Sequence, residues 1–296
     1  MRRALSFLAV LVALPAAPAA AAPSGPVVAV LDSGVDVRHP ALRGHVWRNA
    51  DEIAGNGIDD DANGYADDRS GADMVDRDGK PADPRGHGTH IAGIVARRTR
   101  ARIMAVRVIG RDGTGSTTDL AAGIDYAVTE GARVINLSVS GYGHDPAVAD
   151  ALARAGVAGV LVVVAAGNTG RDLDAEPDYP ASYQTPGMLV VASGDRDGRL
   201  ASWSSFGAAT VDIVAPGADV RSALPGRRYG LKSGTSQAAA AVTRAAVRLL
   251  TARPTATAIQ VREILLGSAR PAPTLAGEVA SGGLLNLGGA LASLGR

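Results

Sequence analysis

The sequence predicts an α/β fold: a doubly wound, mostly parallel sheet with helices on both faces. Three observations point there. Short continuous apolar runs bounded by turn residues recur, as at residues 27–31 and 134–138, the pattern of strands buried on both sides. Between them lie segments with apolar residues at helical spacing, such as Leu120, Ile124, Ala127 and Val128 within 117–130. The composition, with 37 glycines, 46% hydrophobic and 3% aromatic residues, suits helices packed closely on a sheet.

In chain order, residues 1–22 read as an export signal. Arg2 and Arg3 supply a positive start, residues 4–14 are apolar but too short to span a bilayer, and the alanines at 19–22 offer small-residue cleavage sites before Pro23. Residues 23–296 are then one domain, secreted or periplasmic, with no membrane attachment once the signal is removed. The chain has no cysteine, which rules out disulfides and thiol chemistry. Thirty basic and 29 acidic residues are scattered along it, leaving no electrostatic footprint for nucleic acid.

The strand at 27–31 leads into Asp32, at the carboxyl end, where sheets of this class carry their sites. Residues 49–83 form an insert crowded with carboxylates. Asp59, Asp61 and Asn63 alternate, followed by Gly64, the Tyr65 carbonyl and Asp67, at the spacing of a calcium loop. Ser70 stands where such a loop would have its closing Glu, so a full EF-hand is not present. The expectation is a structural calcium, the alternative an acidic solvated loop.

His87, within Gly86-His87-Gly88-Thr89-His90, opens a helix at 87–97. A strand at 103–108, the helix at 117–130 and the strand at 134–138 follow. Asp145 as N-cap and Pro146 at the first position start a helix at 146–155. Strands are expected at 159–164, 188–192 and 212–217. Ser236 stands at the first turn of a long apolar helix continuing to 250, with Gly234 expected to supply a tight turn before it. Residues 256–266 and 283–294 read as closing helices. His90 is expected to pack, and His39, His45 and His144 to lie at the surface or in loops.

Asp, His and Ser in that order, one at a strand end and two at helix starts, follow the order of the nucleophilic triad in subtilisin. With the segments around Asp32, His87 and Ser236, and with Ala165-Ala166-Gly167-Asn168, the chain resembles the subtilisin-like serine peptidases, the subtilases, over about residues 27–291. The resemblance implies Ser236 as nucleophile, His87 as general base, Asp32 as its orienting partner and Asn168 as a donor to the oxyanion. It implies substrate contacts at Ser138, Val139 and Ser140 and along Ala165, Ala166 and Gly167, a small wall suited to an apolar or aromatic side chain before the cleaved bond. It further implies a serine endopeptidase acting on polypeptides, with no cofactor for the chemistry.

The chain also departs from the family pattern. Gln237 and Ala240 stand where the family has Met and Pro, and Ser140 where it usually has Gly. The connection after the His87 helix is shorter than the family's, so the calcium site of that loop is not expected. These departures leave an alternative: a catalytically weak relative that binds peptides. Only residues 23–26 separate the export signal from the first strand, so no covalent folding domain is expected there. Folding is expected either unaided or with a pro-domain-like protein acting in trans.

Overall fold

The apolar runs pair into a central sheet. The structure, a computed structural model, describes residues 25–295 except 142 and 196. The export signal expected at 1–22 therefore lies outside the described residues. The strands are β1 (Val27–Asp32), β2 (Arg102–Arg107), β3 (Val134–Leu137), β4 (Leu161–Ala165), β5 (Met188–Gly194), β6 (Ile213–Pro216), β7 (Val220–Leu224), β8 (Arg228–Lys232), β9 (Arg270–Pro271) and β10 (Gly283–Leu284). Among the described residues, eight of them form one sheet in the order β2-β1-β3-β4-β5-β6-β10-β9, while β7 and β8 pair separately as a hairpin. Every pairing in the large sheet is parallel except β10 with β9.

The helices are α1 (His87–Ala96), α2 (Thr117–Thr129), α3 (Pro146–Val157), α4 (Thr235–Ala252), α5 (Ala258–Gly267) and α6 (Leu287–Ala292). They cover both faces. Val27, Ala29 and Leu31 of β1 join a core with Leu120 and Ile124 of α2 and Leu152 of α3. Val28 and Val30 point the other way, into a core with α1, α4 and α5. This two-sided burial is why the strands read as continuous apolar runs rather than alternating ones.

The sheet order positions the site. The chain runs from β1 outward to β2, then returns to place β3 on the other side of β1. The two crossovers diverge there, opening a crevice beyond the carboxyl ends of β1 and β3. α1 meets this edge at close range. A Cβ on Gly88 would lie 2.1 Å from the Gly34 carbonyl oxygen and 3.0 Å from the Asp32 Cβ, so only glycine lets the helix start sit on the end of β1. α4 packs against β3, β4, β5 and β6. Its alanines at 238–241 are buried, and Ala240 continues the helix without interruption.

Two expectations are corrected. Residues 283–294 are not all helical: Gly283–Leu284 extend β6 as a parallel neighbour before α6 begins, as expected of a Gly282-Gly283 pair that disfavours helix. The hairpin β7–β8 lies where no strand was expected, because its half-exposed residues form no apolar run. His39 lies in a loop, as expected, but is buried there: its Nδ1 accepts from Ala41 N (3.1 Å) and its Nε2 donates to the Arg228 carbonyl (3.0 Å), tying the early loop to the hairpin. His90 packs as expected, with Nε2 donating to the Gly230 carbonyl at 3.2 Å.

Candidate active site

Asp32 ends β1 and is almost fully buried. Both of its carboxylate oxygens face Nδ1 of His87, at 2.7 and 2.9 Å, and Oδ1 also accepts from Ser33 N at 2.7 Å. This contact fixes the imidazole: Nδ1 carries the proton, and Nε2 is left to act as a base. Burial pulls the His87 ring toward the neutral form, but the Asp32 charge and its hydrogen bond outweigh that, and the net shift is upward.

His87 is held from below by a residue the sequence reading did not single out. Asp83 accepts from Ser33 Oγ (2.8 Å), Arg85 N (3.0 Å), Gly86 N (2.7 Å), Thr89 N (2.9 Å) and Thr89 Oγ1 (2.6 Å). It thus satisfies free donors at the start of α1 and ties that start to the turn after Asp32. The signal available in the sequence was an Asp four residues before His87, within reach of a helix start whose N-cap, Gly86, has no side chain.

Ser236 is the second residue of α4, where the backbone N–H groups have no carbonyl within the helix to bond. Gly234, before it, is extended (φ 161°, ψ 162°) rather than turned. Its missing Cβ instead leaves room for the Gln237 and Asn168 side chains, which would lie 2.8 and 3.6 Å from such an atom. The Ser236 hydroxyl donates to the Ser138 carbonyl at a long 3.4 Å, and among the described residues no hydrogen bond joins it to His87. Apo geometries of such pairs are often loose, and one χ1 rotation moves the oxygen.

Asn168 follows β4. Its Oδ1 accepts from both Thr235 N (2.9 Å) and Thr235 Oγ1 (3.1 Å), so the amide is oriented with Nδ2 free to donate. Thr235 therefore sets the role of Asn168, a part played by a residue the sequence reading left unassigned. Thr235 Oγ1 also accepts from Gly167 N at 3.1 Å.

Ser138, Val139 and Ser140 line an open cleft of about 570 Å³ together with Asp32, His87, Gly141, Arg85 and Lys232. Ala165, Ala166 and Gly167 are buried and stand outside that lining; Gly167 faces Ser205, Asp178 and Ser140 across a narrow gap. Behind the cleft, Thr243 donates to Asn136 (2.8 Å), which donates to Ser138 Oγ (2.8 Å), linking α4 to β3 through buried polar side chains.

The acidic insert gathers a set different from the expected one. Glu52, Asp61 and Asp68 present carboxylate oxygens that lie within 4.8 Å of one another. Asn49 donates to Asp61 and Asp68, Asn63 to Asp61, Asp68 and Glu130, and Tyr126 to Asp68. Burial pushes the Glu130 carboxyl upward. These donors are neutral, so the negative charge is unbalanced within the protein, and the all-oxygen donor set fits a hard cation such as calcium. Of the residues expected to bind it, Asp61 is in the group and Asn63 beside it. Asp59 instead accepts from Asn63 N and Gly64 N, and Asp67 from Gly55 N and Gly57 N.

Comparison with known proteins bears on what this arrangement does. The sequence model of the subtilase family matches residues 23–289. A thermophilic serine proteinase from Bacillus sp. (strain AK1) is 39% identical over 226 residues, 73% of this chain and 49% of that protein. Thermitase from Thermoactinomyces vulgaris is 37% identical over 226 residues, 73% of this chain and 71% of thermitase. Subtilisin Savinase from Lederbergia lenta is 33% identical over 256 residues, 83% of this chain and 84% of that protein. The matched stretch thus spans about half of the first relative and most of the other two. A crystal structure of a cold adapted subtilisin-like serine proteinase superposes with a TM-score of 0.74 at 28% identity, covering 89% of each chain.

Proposed function

The chain belongs to the subtilase family, and on that premise we propose that it is an exported serine endopeptidase that hydrolyses polypeptides through Asp32, His87 and Ser236. The observation that carries this reading is the doubly contacted Asp32–His87 pair at the β1/β3 crevice, with Ser236 at the facing helix start. In this reading Ser236 Oγ turns from the Ser138 carbonyl toward His87 Nε2 and attacks the substrate carbonyl as His87 takes its proton. Asp32 stabilises the imidazolium that forms. The developing oxyanion is met by Asn168 Nδ2 and the Ser236 N–H. His87 then hands the proton to the leaving amine, and water releases the acyl-enzyme.

The substrate backbone lies along residues 138–140, where an extended peptide adds to a strand end. Export rests on residues 1–22; among the described residues no helix is long and apolar enough to cross a membrane. A calcium ion held by Glu52, Asp61 and Asp68 is proposed as a structural element with no part in the chemistry.

One observation favours a second reading, a peptide-binding relative with weak catalysis: the Ser236 hydroxyl bonds to the Ser138 carbonyl and, among the described residues, not to His87. Turnover of casein and of a simple ester by the purified protein, beside Ser236→Ala, separates the two. Casein hydrolysis lost in Ser236→Ala supports the peptidase. Ester hydrolysis alone, or peptide binding without turnover, contradicts it.

A further inference from the structure

The cleft beside His87 carries cations that form no ion pair among the described residues. Lys232, the last residue of β8, and Arg85, two residues before His87, both line the cleft that holds Asp32, His87 and residues 138–141. The same two side chains, with Arg228, line an adjoining hollow of about 280 Å³ bounded by Asp83, Gly86, Leu224 and Pro225. Among the described residues no carboxylate lies within ion-pair distance of Lys232, Arg85 or Arg228. Arg85 donates to the Arg111 carbonyl (2.8 Å) and Arg228 to the Pro225 carbonyl (3.1 Å), neutral acceptors that form no ion pair with either. The neighbouring carboxylates hydrogen-bond elsewhere, Asp32 to His87 and Ser33 N, Asp83 to its five donors and Asp112 to Thr114. Of these Asp112 also feels the charge of Arg85, which leaves Lys232 as the cation of the cleft without an acidic partner among the described residues. Lys232 is near enough to His87 to oppose its protonation.

The chemistry decides which half of a substrate meets these cations. His87 delivers its proton to the leaving amine, so the chain beyond the cleaved bond departs past His87, while the acyl half is held along residues 138–140. The adjoining hollow of Lys232 and Arg85 has none of residues 138–141 in its lining and so offers the departing half a place of its own. Resting on the peptidase reading, we propose that Lys232, supported by Arg85, selects polypeptides with an aspartate or glutamate immediately after the cleaved bond. A carboxylate there completes a charge pair that the fold leaves open, and a cationic side chain is repelled.

The test uses three peptides identical except for Glu, Gln or Lys at that position. The parent protein is expected to cleave the Glu peptide about fivefold more efficiently than the Gln peptide at low salt, and the Lys peptide least, with the spread shrinking as salt screens the partly exposed pair. Lys232→Glu inverts the order, whereas Arg253→Gln, at the far end of α4, keeps it. Circular dichroism checks that each variant is folded. Binding of the same peptides to Ser236→Ala, read by fluorescence anisotropy, reports the preference without turnover. Equal handling of Glu and Gln peptides in both cleavage and binding overturns the inference. Preferred binding of the Glu peptide with no cleavage by the parent overturns the peptidase reading and leaves charge selection standing. Equal binding with no cleavage overturns both.

Discussion

Asp32 is nearly buried and spends both oxygens on one imidazole, so its main effect is on the proton affinity of His87. The net upward shift of His87 fixes a sign. The ring serves as a base only when neutral, so kcat/KM is expected to rise with pH through a midpoint above the ordinary 6.5 and then level off. Asp32→Asn removes the charge that raises it, so the midpoint moves down while turnover falls by about 10⁴, measurable in one pH–rate series. A midpoint unmoved in Asp32→Asn would detach the profile from His87. Ser236→Ala and His87→Ala are each expected to lower turnover by about 10⁶. Asn168→Ala loses one oxyanion donor, about 10² to 10³ in kcat. Thr235→Val removes one of the two donors to the Asn168 oxygen and is expected to cost part of the same factor with substrate affinity little changed. If KM alone changes, Thr235 is not orienting the amide.

Among the elements, α1 is the one whose placement the site depends on most. Its start is fixed by the Gly88 contact with Gly34 and by the donors gathered on Asp83. Asp83→Ala strips the first turn of that acceptor, for an expected loss of about 1–2 kcal/mol by the cost of a lost helix cap. Denaturant unfolding measures it, and a wild-type midpoint would remove Asp83 from this role. Turnover should fall further than stability does, because His87 rides on that turn. The places of Asp32, His87 and Ser236 at a strand end and two helix starts were legible in the sequence because such ends are marked by local composition: an apolar run before Asp32, glycines around His87, an alanine-rich helix after Ser236. Asp83, Thr235 and Lys232 were not legible. The contacts of Asp83 and Thr235 lie far away in sequence or across a turn, Lys232 reaches the cleft only through the fold, and no periodicity reports such placements. The hairpin β7–β8 was missed for a related reason: its strands mix exposed and buried residues, so they lack the apolar run that marks a buried strand.

For the molecule as a whole, the parallel sheet and its two helical layers were legible because two-sided burial writes itself into sequence as unbroken apolar runs. The acidic insert was legible in kind but not in detail. Alternation in sequence placed Asp59 and Asp67 with Asp61, whereas the folded loop spends those two carboxylates on nearby backbone amides and brings in Glu52 and Asp68 from either side. If the group binds calcium in the folded state alone, a hundredfold excess of the ion over its Kd adds about 2.7 kcal/mol of stability. Chelator should then lower the melting temperature of the parent and leave that of an Asp61→Ala, Asp68→Ala variant unmoved. Equal shifts in both would place the ion elsewhere.

The central claim is that one sheet edge brings Asp32, His87 and Ser236 into a working nucleophile. Labelling with a fluorophosphonate tests it most directly, because the reagent reacts fast only with an activated serine. The purified protein is treated at pH 8, digested and mapped by mass spectrometry. The account predicts a single modified residue, Ser236, with labelling abolished in Ser236→Ala and slowed by several orders of magnitude in His87→Ala. Labelling at another serine, or an equal rate in His87→Ala, would contradict it.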